Sequence, residues 1–318
     1  MRLQQRGLTL GVMGALAIAG AARAATPPIA LLPGAVTGSV VQTQVKPGDS
    51  LDSLSMRYRV NPERIWLPNA GVLHGPLKPG MTLYVDTREI QPTFAATVSG
   101  ISLNVPEAEV FLLQNGAIVR QYPVAVSRSD WEVPLGTTKV VDMEQNPTWH
   151  VPKDIQAEMQ RKGETVMDHV DPGPKNPLGV RWIGFADGTF GFHGTDGPER
   201  ESIKRYASHG CVRFLNEDIL DLYGRVHQGE TVHIFYQPVL LAADDKGVWV
   251  QVYPDIYHLK YDFAGTLKQL AQNAHVGDRI DWKLADKAIQ DHTGVLTQIG
   301  LAPGASASPA SAPAAPRP

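Results

Sequence analysis

Six consecutive residues, Ser208-His209-Gly210-Cys211-Val212-Arg213, place a nucleophile, a flexible turn and a permanent positive charge in one short segment. A thiol attacks as its thiolate, and a free Cys with a pKa of ~8.5 holds only a few per cent of that form at neutral pH. A nearby imidazole or cation raises the share. Gly210 lets the backbone turn sharply, so that amides near Cys211 can face a developing oxyanion. Arg213 offers a forked donor suited to a carboxylate. The combination suits acyl transfer from a peptide bearing free carboxylates. A second piece, Phe192-His193-Gly194-Thr195, closes an expected strand eighteen residues before Cys211. For His193 to act on the thiol, the intervening loop must fold back.

Cys211 is the only cysteine of the 318-residue chain, which excludes an intramolecular disulfide. A lone Cys is commonly a buried small hydrophobe, but in an oxidising compartment an unpaired thiol is marked as reactive. Such a compartment is indicated by residues 1–24, which read as a signal peptide. Arg2 and Arg6 give a cationic start, Leu8 to Ile18 is a mostly apolar run, and Ala22-Arg23-Ala24 suits a signal peptidase. That run is too short to span a bilayer, which takes ~20 apolar residues. No later stretch is apolar enough, so the mature chain is expected to lack a membrane span and to be exported. Twenty-nine basic against 32 acidic side chains give no electrostatic case for nucleic acid. With 43% apolar and 19% charged residues, the bulk of the chain is expected to fold.

The elements that must position this chemistry follow from patterning. Residues 25–41 are rich in Pro, Ala and Gly and read as a linker. Residues 42–87 form a compact unit. Asp49 and Ser50 can cap a helix with Leu51, Leu54 and Tyr58 on one side, Pro62 opens a second helix, and Met81 to Val85 is a closing strand. Residues 95–237 look mainly β. Strands are expected at Val110–Leu113, Ile118–Val126, Thr138–Met143, Val180–Phe185 and Thr189–His193, the last two joined by a hairpin at Asp187-Gly188. Asn216 is the expected cap of a helix whose apolar face holds Ile219, Leu222, Tyr223 and Val226. Glu144 to Pro177 is long for a connector, and connections beyond ~12–15 residues are usually functional lids or disordered. Residues 238–301 predict a small α/β accessory region with a strand at Val248–Val252 and helices at Phe263–Ala274 and Trp282–Gln290. Residues 302–318, almost entirely Ala, Ser and Pro, are expected to be disordered.

The 42–87 unit resembles a LysM module, a small βααβ fold that binds N-acetylglucosamine-containing glycans. The resemblance rests on Val45-Lys46-Pro47-Gly48-Asp49-Ser50-Leu51, Leu54, Tyr58, Val60-Asn61, Asn69 and Leu77-Lys78-Pro79-Gly80. Further on, His193-Gly194-Thr195, Ser208 to Arg213, Asn216 and Asp218 are similar to the signature of the L,D-transpeptidase (YkuD-type) catalytic domain. Val133-Pro134-Leu135-Gly136-Thr137 resembles its strand entry. Asn146 to Pro152 and Asn176 to Gly179 resemble its lid, as found in Gram-negative members. Lys204 departs from the family, which often has Gly there.

The resemblance implies a β-sandwich or barrel with a Cys–His site under a mobile cap. Cys211 attacks the bond between the diamino acid and terminal D-alanine of a tetrapeptide stem. His193 acts as proton acceptor and donor, oriented by the backbone carbonyl of Gly194. His209 and Gly210 support the oxyanion, while Arg213 and Ser208 bind substrate. An amine, from a second stem or from a lysine of an envelope lipoprotein, then resolves the thioester. No metal or organic cofactor is implied. Carbapenem acylation of Cys211 and a periplasmic location are. Three other readings stand beside this one: a carboxypeptidase or amide hydrolase on the same fold, a zinc hydrolase using His193, His209 and Cys211, and a non-catalytic glycan-binding envelope protein.

Overall fold

A computed structural model describes residues 32–304. The expected signal peptide, the first part of the expected linker and the tail beyond residue 304 lie outside these residues. Strand β1 (Leu32–Thr37) comes first, followed by β2 (Val40–Gln44), helices α1 (Leu51–Tyr58) and α2 (Glu63–Trp66), and β3 (Thr82–Asp86). Strands β2 and β3 pair antiparallel, Val40 opposite Asp86 and Gln44 opposite Thr82. Ser50 caps α1 in a reciprocal box with Ser53. Val45, Leu54, Val60, Ile65, Leu83 and Val85 are the buried core of this βααβ unit.

Strand β4 (Glu89–Thr93) returns to pair antiparallel with β1. The segment read as a linker is therefore structural in its second half. The sequence disguised this because Pro33 and Gly34 break the apolar alternation; Gly34 is required, since a Cβ there would lie 2.2 Å from the Gln91 carbonyl oxygen.

The catalytic-type unit starts with β5 (Gly100–Asn104), β6 (Glu109–Gln114), β7 (Ala117–Pro123), the two-residue β8 (Val126–Ser127) and the long β9 (Gly136–Gln145). The stretch read as a long connector is an ordered flap. It comprises β10 (Trp149–His150), α3 (Lys153–Lys162) and β11 (His169–Val170), with β10 and β11 paired. Asn176 closes its base by donating to the carbonyls of Pro147 (2.8 Å) and Val170 (3.0 Å). Next come β12 (Arg181–Phe185), β13 (Phe190–Thr195), β14 (Tyr206–Ser208), β15 (Val212–Leu215), α4 (Asn216–Tyr223) and β16 (Thr231–Phe235). The expected β12–β13 hairpin is present, its turn spanning four residues with Ala186 at φ +63° and Gly188 at +88°. Asn216 is not the helix cap. Leu215 occupies that position, and the Asn216 side-chain oxygen accepts from the Val180 amide at 3.3 Å.

Eight strands form one sheet in the order β15-β13-β12-β9-β16-β5-β6-β7. The chain just past β7 meets the other edge where Ala125 and Arg213 exchange two backbone hydrogen bonds of 2.9 Å, so the sheet nearly closes into a barrel. Ile101, Leu103, Val110 and Leu112 point into the main core. Phe111 and Leu113, on the opposite face of β6, are covered by Phe94 and Phe235. Both faces are buried, and for that reason the apolar alternation was imperfect in the sequence.

Beyond it lie β17 (Val239–Ala243), β18 (Val248–Val252), α5 (Phe263–Asn273), α6 (Trp282–Asp291) and β19 (Thr297–Gly300). The expected strand and both helices are present. The region is not separate, however: a second sheet runs β19-β18-β17-β1-β4 and includes strands from both sides of the βααβ unit.

Candidate active site

His193 and Cys211 come to line one cavity because β13 and β15 are parallel neighbours, with Phe192 opposite Val212 and His193 opposite Arg213. Side chains alternate along a strand, so Cys211, Arg213 and His193 share one face. The loop between these strands, with a 3-10 turn at Gly197–Ser202 and strand β14, makes the required return. Gly191 lies beside Cys211 and must be Gly, since a Cβ would press within 2.4–2.6 Å of the Trp182 ring. Trp182 stacks on His193 (centroids 6.3 Å apart, 22° between planes) and donates to Asp142 at 2.9 Å. The sequence reading missed Trp182 and Asp142. The available signal was Gly191, two positions before His193 on the same face.

The His193 Nδ1 lies 2.7 Å from the Gly194 carbonyl oxygen. A carbonyl only accepts, so Nδ1 carries the proton and Nε2 holds the lone pair. Burial, aided by the Arg213 charge, pushes the His193 pKa down to about 4, against the opposing pull of the Gly194 and Pro177 backbone. Burial likewise pushes the Cys211 thiol up to about 11, against smaller lowering effects of the Gly191 backbone and Arg213. Both shifts favour the uncharged forms, a thiol and a neutral imidazole. Arg213 does pull the Cys211 pKa down, as a nearby cation is expected to, but desolvation outweighs it.

Gly210 has φ +105°, and a Cβ would meet the Phe190 ring at 3.0 Å. The buried Ser208 hydroxyl donates to the Cys211 carbonyl and so holds this turn. His209 is directed at the flap: its Nε2 lies 3.0 Å from Glu158 Oε2 and 3.2 Å from Arg128 Nη1, and its ring packs edge-on to Trp131. Glu158 also pairs with Lys162 at 2.7 Å. Arg213 Nη1 lies 3.2 Å from Glu199. Asp218 and Glu217, the alternative partners closest in sequence, are engaged by Arg59 and Arg200.

One cavity of about 410 Å³ joins these residues. His193, Ser208, His209, Cys211 and Arg213 line it from the sheet side. Trp149, Ile155, Glu158 and Met159 line it from the flap. Among the described residues, no group of three or more His, Cys, Asp or Glu side chains is arranged to hold a metal ion, and His209 faces Glu158. Nor is any described helix long and apolar enough to cross a membrane.

The L,D-transpeptidase catalytic domain family (YkuD) matches residues 99–234, and the LysM domain family matches residues 43–86. Three similar proteins carry L,D-transpeptidase names. ErfK/SrfK of Salmonella typhimurium is 26% identical over 273 residues, which are 83% of this chain and 86% of that protein. YbiS of Escherichia coli is 26% identical over 258 residues, 78% of this chain and 83% of that one. YqjB of Bacillus subtilis is 30% identical over 139 residues, 42% of this chain and 69% of that one. With a matching catalytic domain, a matching LysM domain and these relatives, the chain belongs to the L,D-transpeptidase (YkuD) family.

Proposed function

We propose that the protein is an exported, periplasmic peptidoglycan L,D-transpeptidase with Cys211 as its nucleophile. The observation that carries this reading is the placement of Cys211, His193 and Arg213 on one face of two parallel strands, inside one capped cavity. As the donor carbonyl arrives, His193 takes the thiol proton and sulfur attacks the carbonyl joining the diamino acid to terminal D-alanine. The imidazolium then protonates the leaving amine, giving a thioester and free D-alanine. Starting from a neutral pair, proton transfer accompanies attack. The amides around Gly210 and Cys211 support the oxyanion. Arg213 holds a stem carboxylate through its remaining guanidinium N–H groups while Nη1 stays paired with Glu199. Ser208 acts by fixing the turn, and His209 by tying that turn to the flap. An amine from a second stem or from a lipoprotein lysine resolves the thioester. The LysM unit holds glycan strands nearby.

Purified protein incubated with tetrapeptide muropeptides should release D-alanine and form 3→3 dimers. Cys211→Ala should abolish both, and a Cys211→Ala protein with undiminished dimer formation would disprove the assignment. Release of tripeptide without dimers, even with amine in excess, would instead identify a hydrolase.

A further inference from the structure

The LysM unit is not held as a tethered module. It is an insertion between β1 and β4, and those strands pair with each other, so both of its ends are pinned within one sheet. Its helix α1 then lies against the turn Gly197–Ser202 of the catalytic-type unit. Three side chains make this junction. Arg59, at the end of α1 with φ +58°, reaches both carboxylate oxygens of Asp218 at 2.9 Å. Asp52 pairs with Arg205. Met56 packs on Ala125, Ile203 and Leu215. The clamped loop carries Glu199, the partner of Arg213 in the cavity, and Arg200 fastens the same loop to Glu217 of α4 at 3.0 Å.

From this chain of contacts we infer that Arg59 and Asp52 are positioning residues for the donor site. The LysM unit holds loop 197–205 directly through the Asp52–Arg205 pair and by way of α4 through Arg59, since Asp218 and the Glu217 that fastens Arg200 are neighbours on that helix; Glu199 of the loop then sets the guanidinium of Arg213. The module thereby shapes recognition of the stem carboxylate even when no glycan is present. This rests on the reading of Arg213 as the carboxylate anchor.

The test measures the Kd of a glycan-free tetrapeptide for full-length Cys211→Ala protein, so that turnover does not enter. Adding Arg59→Asp should weaken binding roughly fivefold or more, in the range of ordinary coupling between sites. Combining it with Asp218→Arg should restore binding. A peptide with its carboxylates amidated should be insensitive to either change. Unchanged Kd on Arg59→Asp, or a loss shared equally by the amidated peptide, overturns the inference. A failure of the Arg59-intact protein to bind the tetrapeptide at all would instead sink the donor-site reading.

Discussion

At the scale of single residues, the site is governed by burial. Cys211 and His193 are neighbours, yet desolvation moves their pKa values apart, to about 11 and about 4, and both directions favour the neutral forms. An acid with a raised pKa gains its anion only as pH climbs toward that value. Alkylation of Cys211 by iodoacetamide should therefore be slower at pH 8 than that of a free thiol, and should keep rising toward pH 11. A plateau between pH 6 and 8 would instead reveal a preformed ion pair. Lys204 is the other residue where burial decides. It stands where the family often has Gly and keeps a left-handed conformation, φ +64°. Its ammonium reaches the buried carboxylate of Glu109 and, at 3.3 Å, the Glu107 carbonyl. Replacing it with Met should destabilise the protein by about 1–3 kcal/mol in denaturant unfolding, since burial already pushes the Glu109 carboxyl up to about 7 and the loss of the ammonium leaves a buried acid without that partner. A change below about 1 kcal/mol would mean that Glu109 simply takes up a proton at little cost.

At the scale of elements, the parallel pairing of β13 with β15 does most to build the site. Parallel strands require a long return connection, and here that connection carries Glu199, Lys204 and Ser208. The flap is a different kind of element. Helix α3 buries none of its side chains completely, so it is attached by polar contacts rather than by a core. Glu158 joins it to His209 and Arg128, and Asn176 closes its base. The sequence marked this stretch as a lid by its length, but it gave no sign that Glu158 faces His209, a contact across 51 residues.

At the scale of the whole molecule, the β1–β4 pairing makes the glycan-type module part of a continuous body. Deleting residues 25–37, which reads on paper as trimming most of a linker, removes β1 from the second sheet and exposes the edges of β4 and β17. The melting temperature should fall by at least ~5 °C. An unchanged melting temperature would show that β1 adds nothing to the fold. The sequence by itself marked residues 208–213 as a candidate nucleophile segment, the helices and closing strand of the 42–87 unit, and a connector long enough to be a lid, because each depends on residues close together in the chain. The tertiary structure decided the partners of Arg213, Asp218 and His209, the role of residues 32–37, and the burial that pushes the Cys211 thiol up. Those outcomes depend on which distant segments come together and how completely they exclude water, and local sequence pattern encodes neither.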